Sequence, residues 1–175
     1  MLLFIISEVM IFGAFFTAYF FIRVVTKDAW PAHLGHRTLT IPEAVAGVNT
    51  AILVSSSLTI HWALTSIKKG NRFGLKAGMV ATFLLGLTFL FVQVNEYIHL
   101  GWSPQNAAQG TIFYSLTGLH GAHVFIGLCA LLIVTIRSFR GHYSPEHHQG
   151  MEVPGIYWHF VDAMWIIVYT AVYVL

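Results

Sequence analysis

Charge is what this sequence has least of. Asp, Glu, Lys and Arg make up 9% of its 175 residues, against about a quarter in an ordinary soluble domain. With 57% hydrophobic residues alongside, that scarcity excludes a soluble globular domain and points to a membrane protein. There is no extended basic run and no interleaving of basic and aromatic residues, so the formal net charge of +2 gives no footprint for nucleic acid, which is set aside as a partner. Cysteine occurs once, as Cys129 inside an apolar run. A disulfide framework is therefore excluded, and the side chain is expected to pack as a small hydrophobe. Fixed-period repeats and low-complexity tracts are absent. The opening residues, MLLFIISEVMIFGAFF, have neither a basic n-region nor a small-residue cleavage site, which argues against a cleaved signal peptide.

What is present is a set of long apolar windows. Helices are expected over 1–25, 46–67, 77–99, 111–136 and 154–175, each able to cross roughly 30 Å of hydrocarbon. The fold class is all-α: one polytopic membrane bundle of five transmembrane helices, with all of 1–175 in a single domain. Pro154 is placed in the first turn of the last helix, where its missing N–H does no harm. Lys68, Lys69, Arg72, Lys76, Arg137 and Arg140 share the N-terminal side, and only Arg23, Lys27 and Arg37 fall on the other. The positive-inside rule then puts the N-terminus in the cytoplasm and Leu175 outside. Trp30, Trp102, Trp158 and Tyr143, near the helix ends, are read as interfacial anchors.

Against that background the polar residues within the spans stand out. In the last helix His159, Asp162, Ile166, Tyr169 and Tyr173 form one stripe, and Trp158, Val161, Trp165, Val168 and Val172 form another. A carboxylate at membrane depth is costly, so Asp162 is expected to face protein, find a donor or stay protonated; His159, one turn away, is the nearest donor. Glu8 lies about 10 Å along the first helix, with Phe12, Phe15 and Tyr19 on its face. Gln93, Glu96 and Tyr97 line up in the third helix, and His120, His123 and Gly127 in the fourth, where Gly118 and Ala122 offer a small-residue surface for close contact. Helix direction alternates, so depth sorts these groups into layers. Glu96 and His120 fall toward the outer face, Glu8 and His123 nearer the middle, and His61, His159 and Asp162 toward the cytoplasmic face.

Three chemistries compete for them. Interhelical hydrogen bonding suits Asn49, His61, Gln93 and the run Ser55, Ser56, Ser57, whose hydroxyls can bond back to their own helix. A metal or haem site is poorly supplied. Two b-haems need four histidines paired across helices, whereas His120 and His123 are neighbours on one face, and the Glu-x-x-His spacing of a di-metal centre occurs once, at Glu96 and His99. The third is proton handling by Glu8, Glu96, His120, His123, His159 and Asp162 as a buried polar network. His142, Glu146, His147 and His148, on a loop, would be its proton antenna.

These residues sit in stretches that resemble a known family. FIISEVMIFGAFFTAYFF, TGLHGAHVFIG and EHHQGMEVPGIYWHFVDAMWIIVY resemble segments of subunit III of the haem-copper oxidases, the family that includes cytochrome c oxidase. QVNEYIHLG and GTIFYSLTGLHGAHV resemble the part between. The resemblance implies a respiratory-chain subunit without a catalytic centre or metal of its own, in a hetero-oligomer with subunit I as main contact and subunit II in the same complex. Haem and copper would belong to those partners. It also implies a role in proton uptake and translocation and in structural integrity, and it implies bound phospholipid, for which Arg137 and His142 are candidate headgroup contacts. Glu8 matches the family's buried carboxylate in the SEV motif, and Glu96, His120, His123, His159 and Asp162 match polar family positions. Full-length members have seven helices, and this chain begins where the third would; short bacterial forms lack the first pair, so the bacterial cytoplasmic membrane is the expected location. A quinol oxidase subunit or a nitric oxide reductase accessory protein is the alternative within reach of the same motifs. A membrane b-type cytochrome is the reading from a different class.

Overall fold

In a computed structural model of the chain, residues 2–25, 33–34, 37–38, 43–100, 108–141, 143 and 149–174 are described. Five helices carry the architecture: α1 (Leu2–Val25), α2 (Glu43–Lys68), α3 (Arg72–Leu100), α4 (Ala108–Phe139) and α5 (Gln149–Tyr169), the last running into a π-helical segment, Thr170–Val174. A two-residue antiparallel ladder, His33–Leu34 with Arg37–Thr38, lies between α1 and α2. All five helices are long and apolar enough to cross a membrane, so the fold is an all-α membrane bundle.

The helices alternate in direction, and α2, α3, α4 and α5 close a ring in which each packs on the next and α5 returns to α2. Helix α1 stands outside the ring against α4. Only 11% of its apolar window is buried, against 56% for α5. Its buried stripe is narrow, with Phe12 and Tyr19 covered and Phe21 and Val24 exposed on other faces.

Local chemistry fixes the tightest turn. Gly70 takes a φ of 75°, a left-handed conformation that costs glycine little. Its N–H reaches the Ile67 carbonyl at 2.9 Å and the Asn71 N–H reaches the Ser66 carbonyl at 2.9 Å, a Schellman closure of α2. Asn71 Oδ1 then accepts from the N–H groups of Phe73 at 3.1 Å and Gly74 at 3.0 Å, capping α3. The hairpin brings α2 and α3 so close that a Cβ on Gly78 would lie 2.8 Å from the Ala63 Cβ.

The centre of the ring is filled by α5. Trp158, Val161, Trp165, Val168 and Val172 are all buried, and the Trp158 indole lies between Gly86 of α3 and Gly127 of α4 while its Nε1–H donates to Ser56 Oγ of α2 at 2.9 Å. Trp158 is therefore a core residue and not the interfacial anchor its place near the loop suggests. Tyr143 is likewise buried, whereas Trp30 and Trp102 lie outside the described residues.

Three further expectations are corrected. Helix α5 starts at Gln149, so Pro154 is its sixth residue and not in its first turn. Met151 is buried and Glu152 pairs with Lys68 at 3.0 Å, contacts that hold the extra turn in place. Cys129 is exposed on the outer face of α4. Gly118 has nothing within 4 Å of where its Cβ would lie; the close approach on α4 is made at Gly127, because that is where an indole needs the room.

Candidate functional site: the buried titratable pairs

Glu8 of α1 and His123 of α4 meet where the outer helix joins the ring. His123 Nε2 lies 2.6 Å from Glu8 Oε2, and the two side chains are only 10% and 13% exposed. His123 Nδ1 lies 2.7 Å from the Leu119 carbonyl. A carbonyl can only accept, so Nδ1 carries a proton and donates it. One further proton then sits between Nε2 and Oε2, giving either imidazolium and carboxylate or neutral imidazole and carboxylic acid. Both forms leave the pair with no net charge, which is how it can be buried cheaply. The Tyr157 hydroxyl, 3.3 Å from the His123 carbonyl, and the Phe12 ring, 5.1 Å from the imidazole, close off the contact.

A second group spans α2 and α5. Ser57 Oγ donates to Asp162 Oδ2 and lies 3.2 Å from His159 Nδ1. The expected His159–Asp162 contact is thus made through a third side chain, and Ser57, expected to bond back to its own helix, does not. Its neighbours do: Ser55 donates to the Ala51 carbonyl at 2.7 Å and Ser56 to the Leu53 carbonyl at 2.6 Å. The polar stripe of α5 therefore runs along its seam with α2, while the apolar stripe faces inward.

At the opposite end Glu96 and His120, expected in one layer, have different surroundings and do not meet. The Tyr173 hydroxyl, from the π-helical segment, donates to Glu96 Oε1 at 3.2 Å, and Tyr97 donates to Thr117 Oγ1 at 2.7 Å. His120 is fully buried with its ring 4.7 Å from Trp165 and 5.9 Å from Phe89, and neither ring nitrogen has a hydrogen-bond partner among the described residues. Gln93 is buried beside Tyr97 and Tyr173, and Asn49 reaches across to the Phe89 carbonyl at 3.2 Å. The π-helical turn supplies one more link: Tyr19 of α1 donates to the Ala171 carbonyl at 2.7 Å, and Arg23 Nη1 donates to the Tyr19 hydroxyl at 3.0 Å.

Sequence periodicity missed Ser57, Tyr173 and Tyr157 as partners. Ser57 could have been found, since it stands one turn from His61 and antiparallel packing brings it level with Asp162. Tyr173 could not, because a π-turn shifts its direction from the ordinary helical register.

No three His, Cys, Asp or Glu side chains come together among the described residues. His123 has both nitrogens engaged and His120 faces aromatic rings, so the pair on α4 presents no matched ligand set. Arg137 is exposed at the end of α4 beside buried Tyr143. Burial pushes the Tyr143 phenol above the usual tyrosine range, and the guanidinium beside it pulls the other way. His142, Glu146, His147 and His148 lie outside the described residues.

Comparison with known proteins gives this arrangement its family. The family described as Cytochrome c oxidase subunit III matches residues 1–175. "Cytochrome c oxidase subunit 3" of Thermostichus vulcanus is 41% identical over 176 residues, spanning 100% of this chain and 85% of the relative. The proteins of the same name from Heterololigo bleekeri and Rattus norvegicus are 40% and 38% identical, each over 177 residues, spanning 99% of this chain and 68% and 67% of theirs. These names favour cytochrome c oxidase over the quinol oxidase, nitric oxide reductase and b-type cytochrome readings. A match that runs from the first residue to the last, on a bundle whose helices are all of membrane length, means that the chain belongs to the cytochrome c oxidase subunit III family.

Proposed function

We propose that the chain works as the non-catalytic subunit III of a haem-copper terminal oxidase in a bacterial cytoplasmic membrane. In this reading it flanks subunit I, shares the complex with subunit II, and leaves haem and copper to those partners. The end that carries Lys68, Lys69, Arg72, Lys76, Arg137 and Arg140 faces the cytoplasm, and exposed Arg137 meets an anionic phospholipid headgroup there.

The observation that carries a specific role is the proton held between Glu8 and His123. The Leu119 carbonyl fixes the outer imidazole nitrogen, so the pair can pass or accept a proton only on the Glu8 side. A neutral pair between an outer helix and the ring is suited to proton handling that supports uptake by the oxidase and sustains it over many turnovers. Of the other polar groups, His159 and Asp162 share Ser57, while Glu96 and His120 stand apart from the pair.

Glu8→Gln in the intact oxidase keeps the shape and removes the titratable group. The initial rate of oxygen consumption is expected to hold, while protons pumped per electron or the number of turnovers before inactivation falls. Unchanged pumping together with an unchanged lifetime leaves the pair a structural contact and refutes the proton role. Stripping this chain from the complex is expected to leave the haem spectrum in place; loss of haem with the chain refutes the non-catalytic reading.

A further inference from the structure

Helix α1 meets the ring along a single line. Glu8, Phe12, Phe16, Tyr19 and Arg23 are buried or half-buried at spacings of three and four, while Met10 and Phe21 on other faces are exposed. Apolar rings along that line set how far the helix stands from its neighbours, but they resist sliding and rolling poorly. The Glu8–His123 contact needs more than that. At 2.6 Å it is lost if α1 shifts by about 1 Å, because a separation of about 3.6 Å is no longer a hydrogen bond. His123 cannot follow, since its Nδ1 is held on the Leu119 carbonyl at 2.7 Å. Glu8, with a side chain 13% exposed, has little room to reach further. The match has to come from the placement of α1.

A second tie lies at the other end of the same line. Tyr19 is eleven residues beyond Glu8, about 16 Å along the axis. It is 1% exposed, and its hydroxyl donates to the Ala171 carbonyl at 2.7 Å while accepting from Arg23 Nη1 at 3.0 Å. The guanidinium supplies only donors, so the phenol proton is committed to the carbonyl and each bond strengthens the other. Ala171 belongs to the π-helical segment Thr170–Val174, within the last four residues of the helix, where carbonyls have no partner in the helix itself. The segment is braced in turn, since the Tyr173 hydroxyl donates to Glu96 of α3 at 3.2 Å. The seat offered to Tyr19 is therefore fixed to the ring and does not move with α1.

We propose that Tyr19 is a positioning residue for the Glu8–His123 pair: its hydroxyl, seated on the π turn, sets the slide and roll of α1 that bring Glu8 within reach of His123. The inference rests on the proton role given to that pair above. Tyr19 handles no proton of the pair itself; it acts along the helix that carries Glu8.

The test uses the intact oxidase in its membrane. Tyr19→Phe keeps the buried ring and removes only the hydroxyl, and loss of one interhelical hydrogen bond weights the seated arrangement down by roughly three- to twentyfold. The carboxyl vibration of Glu8, identified as the infrared band that Glu8→Gln removes, is expected to shift in Tyr19→Phe; a band in its original place overturns the proposal. Thr17→Val removes a hydroxyl bonded only to the Gly13 carbonyl of α1 itself and is expected to leave the band alone; an equal shift there overturns it too. Whichever of pumping or lifetime Glu8→Gln lowers is expected to fall in Tyr19→Phe as well, and to fall no further when the two are combined. Equal falls in both backgrounds make Tyr19 a structural contact and overturn the proposal. Co-purification with the haem-bearing subunits checks assembly. Arg23→Met loosens the same phenol without changing it and is expected to shift the band less; if Tyr19→Phe does not assemble, an unmoved band in Arg23→Met overturns the proposal. If Glu8→Gln alters neither pumping nor lifetime, the proton role fails while the band still decides what Tyr19 does. If Glu8→Gln impairs the oxidase and Tyr19→Phe leaves the band in place, the proton role stands and the positioning role falls.

Discussion

A methyl group at Gly86 has nowhere to go. A Cβ there would lie 2.6 Å from Trp158 Cη2, 2.7 Å from Cζ2 and 3.0 Å from Leu128 Cδ2, where ordinary carbon contacts are about 3.5–4.0 Å. The indole would have to retreat by nearly 1 Å, and two things stop it. Its other edge rests on Gly127, where a Cβ would be 2.9 Å from Cε3, and its Nε1–H is held at 2.9 Å by Ser56 Oγ. Overpacking of this kind costs about 1–3 kcal/mol, and the better helix propensity of alanine returns up to about 1 kcal/mol. With the ring held on both sides the cost falls at the upper end of that range, about 2–3 kcal/mol, and Gly86→Ala is therefore expected to destabilise the bundle by about 1–2 kcal/mol net. Trp158→Phe alone also costs stability, through the cavity and the orphaned serine, but it makes room for the methyl. The double variant should recover at least about 1 kcal/mol of the summed losses. Unfolding in mixed micelles by SDS titration, followed by far-ultraviolet circular dichroism, measures all four proteins of the cycle. A neutral Gly86→Ala, or a cycle with no coupling, refutes the claim that one indole locks three neighbouring helices.

The same titration reads the polar contacts. Glu8→Ala leaves His123 Nε2 without a partner in a largely buried site and is expected to cost about 1–3 kcal/mol, with His123→Leu in the same chain recovering part of it. Purely additive losses would mean that the two side chains do not share a bond. Ser57→Ala detaches both Asp162 and His159 at once and is expected to fall in a similar range of about 1–3 kcal/mol; an effect no larger than that of Ser55→Ala, whose hydroxyl bonds only its own helix, refutes the bridging role. Lys68→Met removes a partly exposed ion pair and is expected to cost less than about 1 kcal/mol, fading further in high salt. A large loss that salt does not touch would show that Glu152 pins the start of α5 more firmly than its exposure implies.

The sequence shows where the helices cross but not where they stop. Hydropathy marks the boundary with lipid, so it finds the apolar middle of α3 but leaves out Arg72–Lys76, which stay helical because Asn71 caps them. The same holds for Gln149–Val153 at the start of α5, held by Met151 and Glu152. Depth was legible for the central pair. Chain direction and a fixed rise per residue put Glu8 and His123 at one level, and the structure joins them at 2.6 Å.

Azimuth was not legible in the same way, and the misses share that cause. Periodicity on one helix sorts its residues into faces, yet it does not say which neighbour a face meets. Glu96 and His120 fall in one layer by sequence, but they meet Tyr173 and Trp165 respectively, eight residues apart on the last helix, so the acid and the imidazole remain apart. On α5 the polar stripe looks like the one to hide, since lipid penalises it most. Packing density argues the other way. Two indoles and three valines are the groups large enough to fill the space between α2, α3 and α4, and glycines at 86 and 127 leave room only for a flat ring. The carboxylate is displaced to the seam, where a serine hydroxyl from α2 donates to one of its two oxygens.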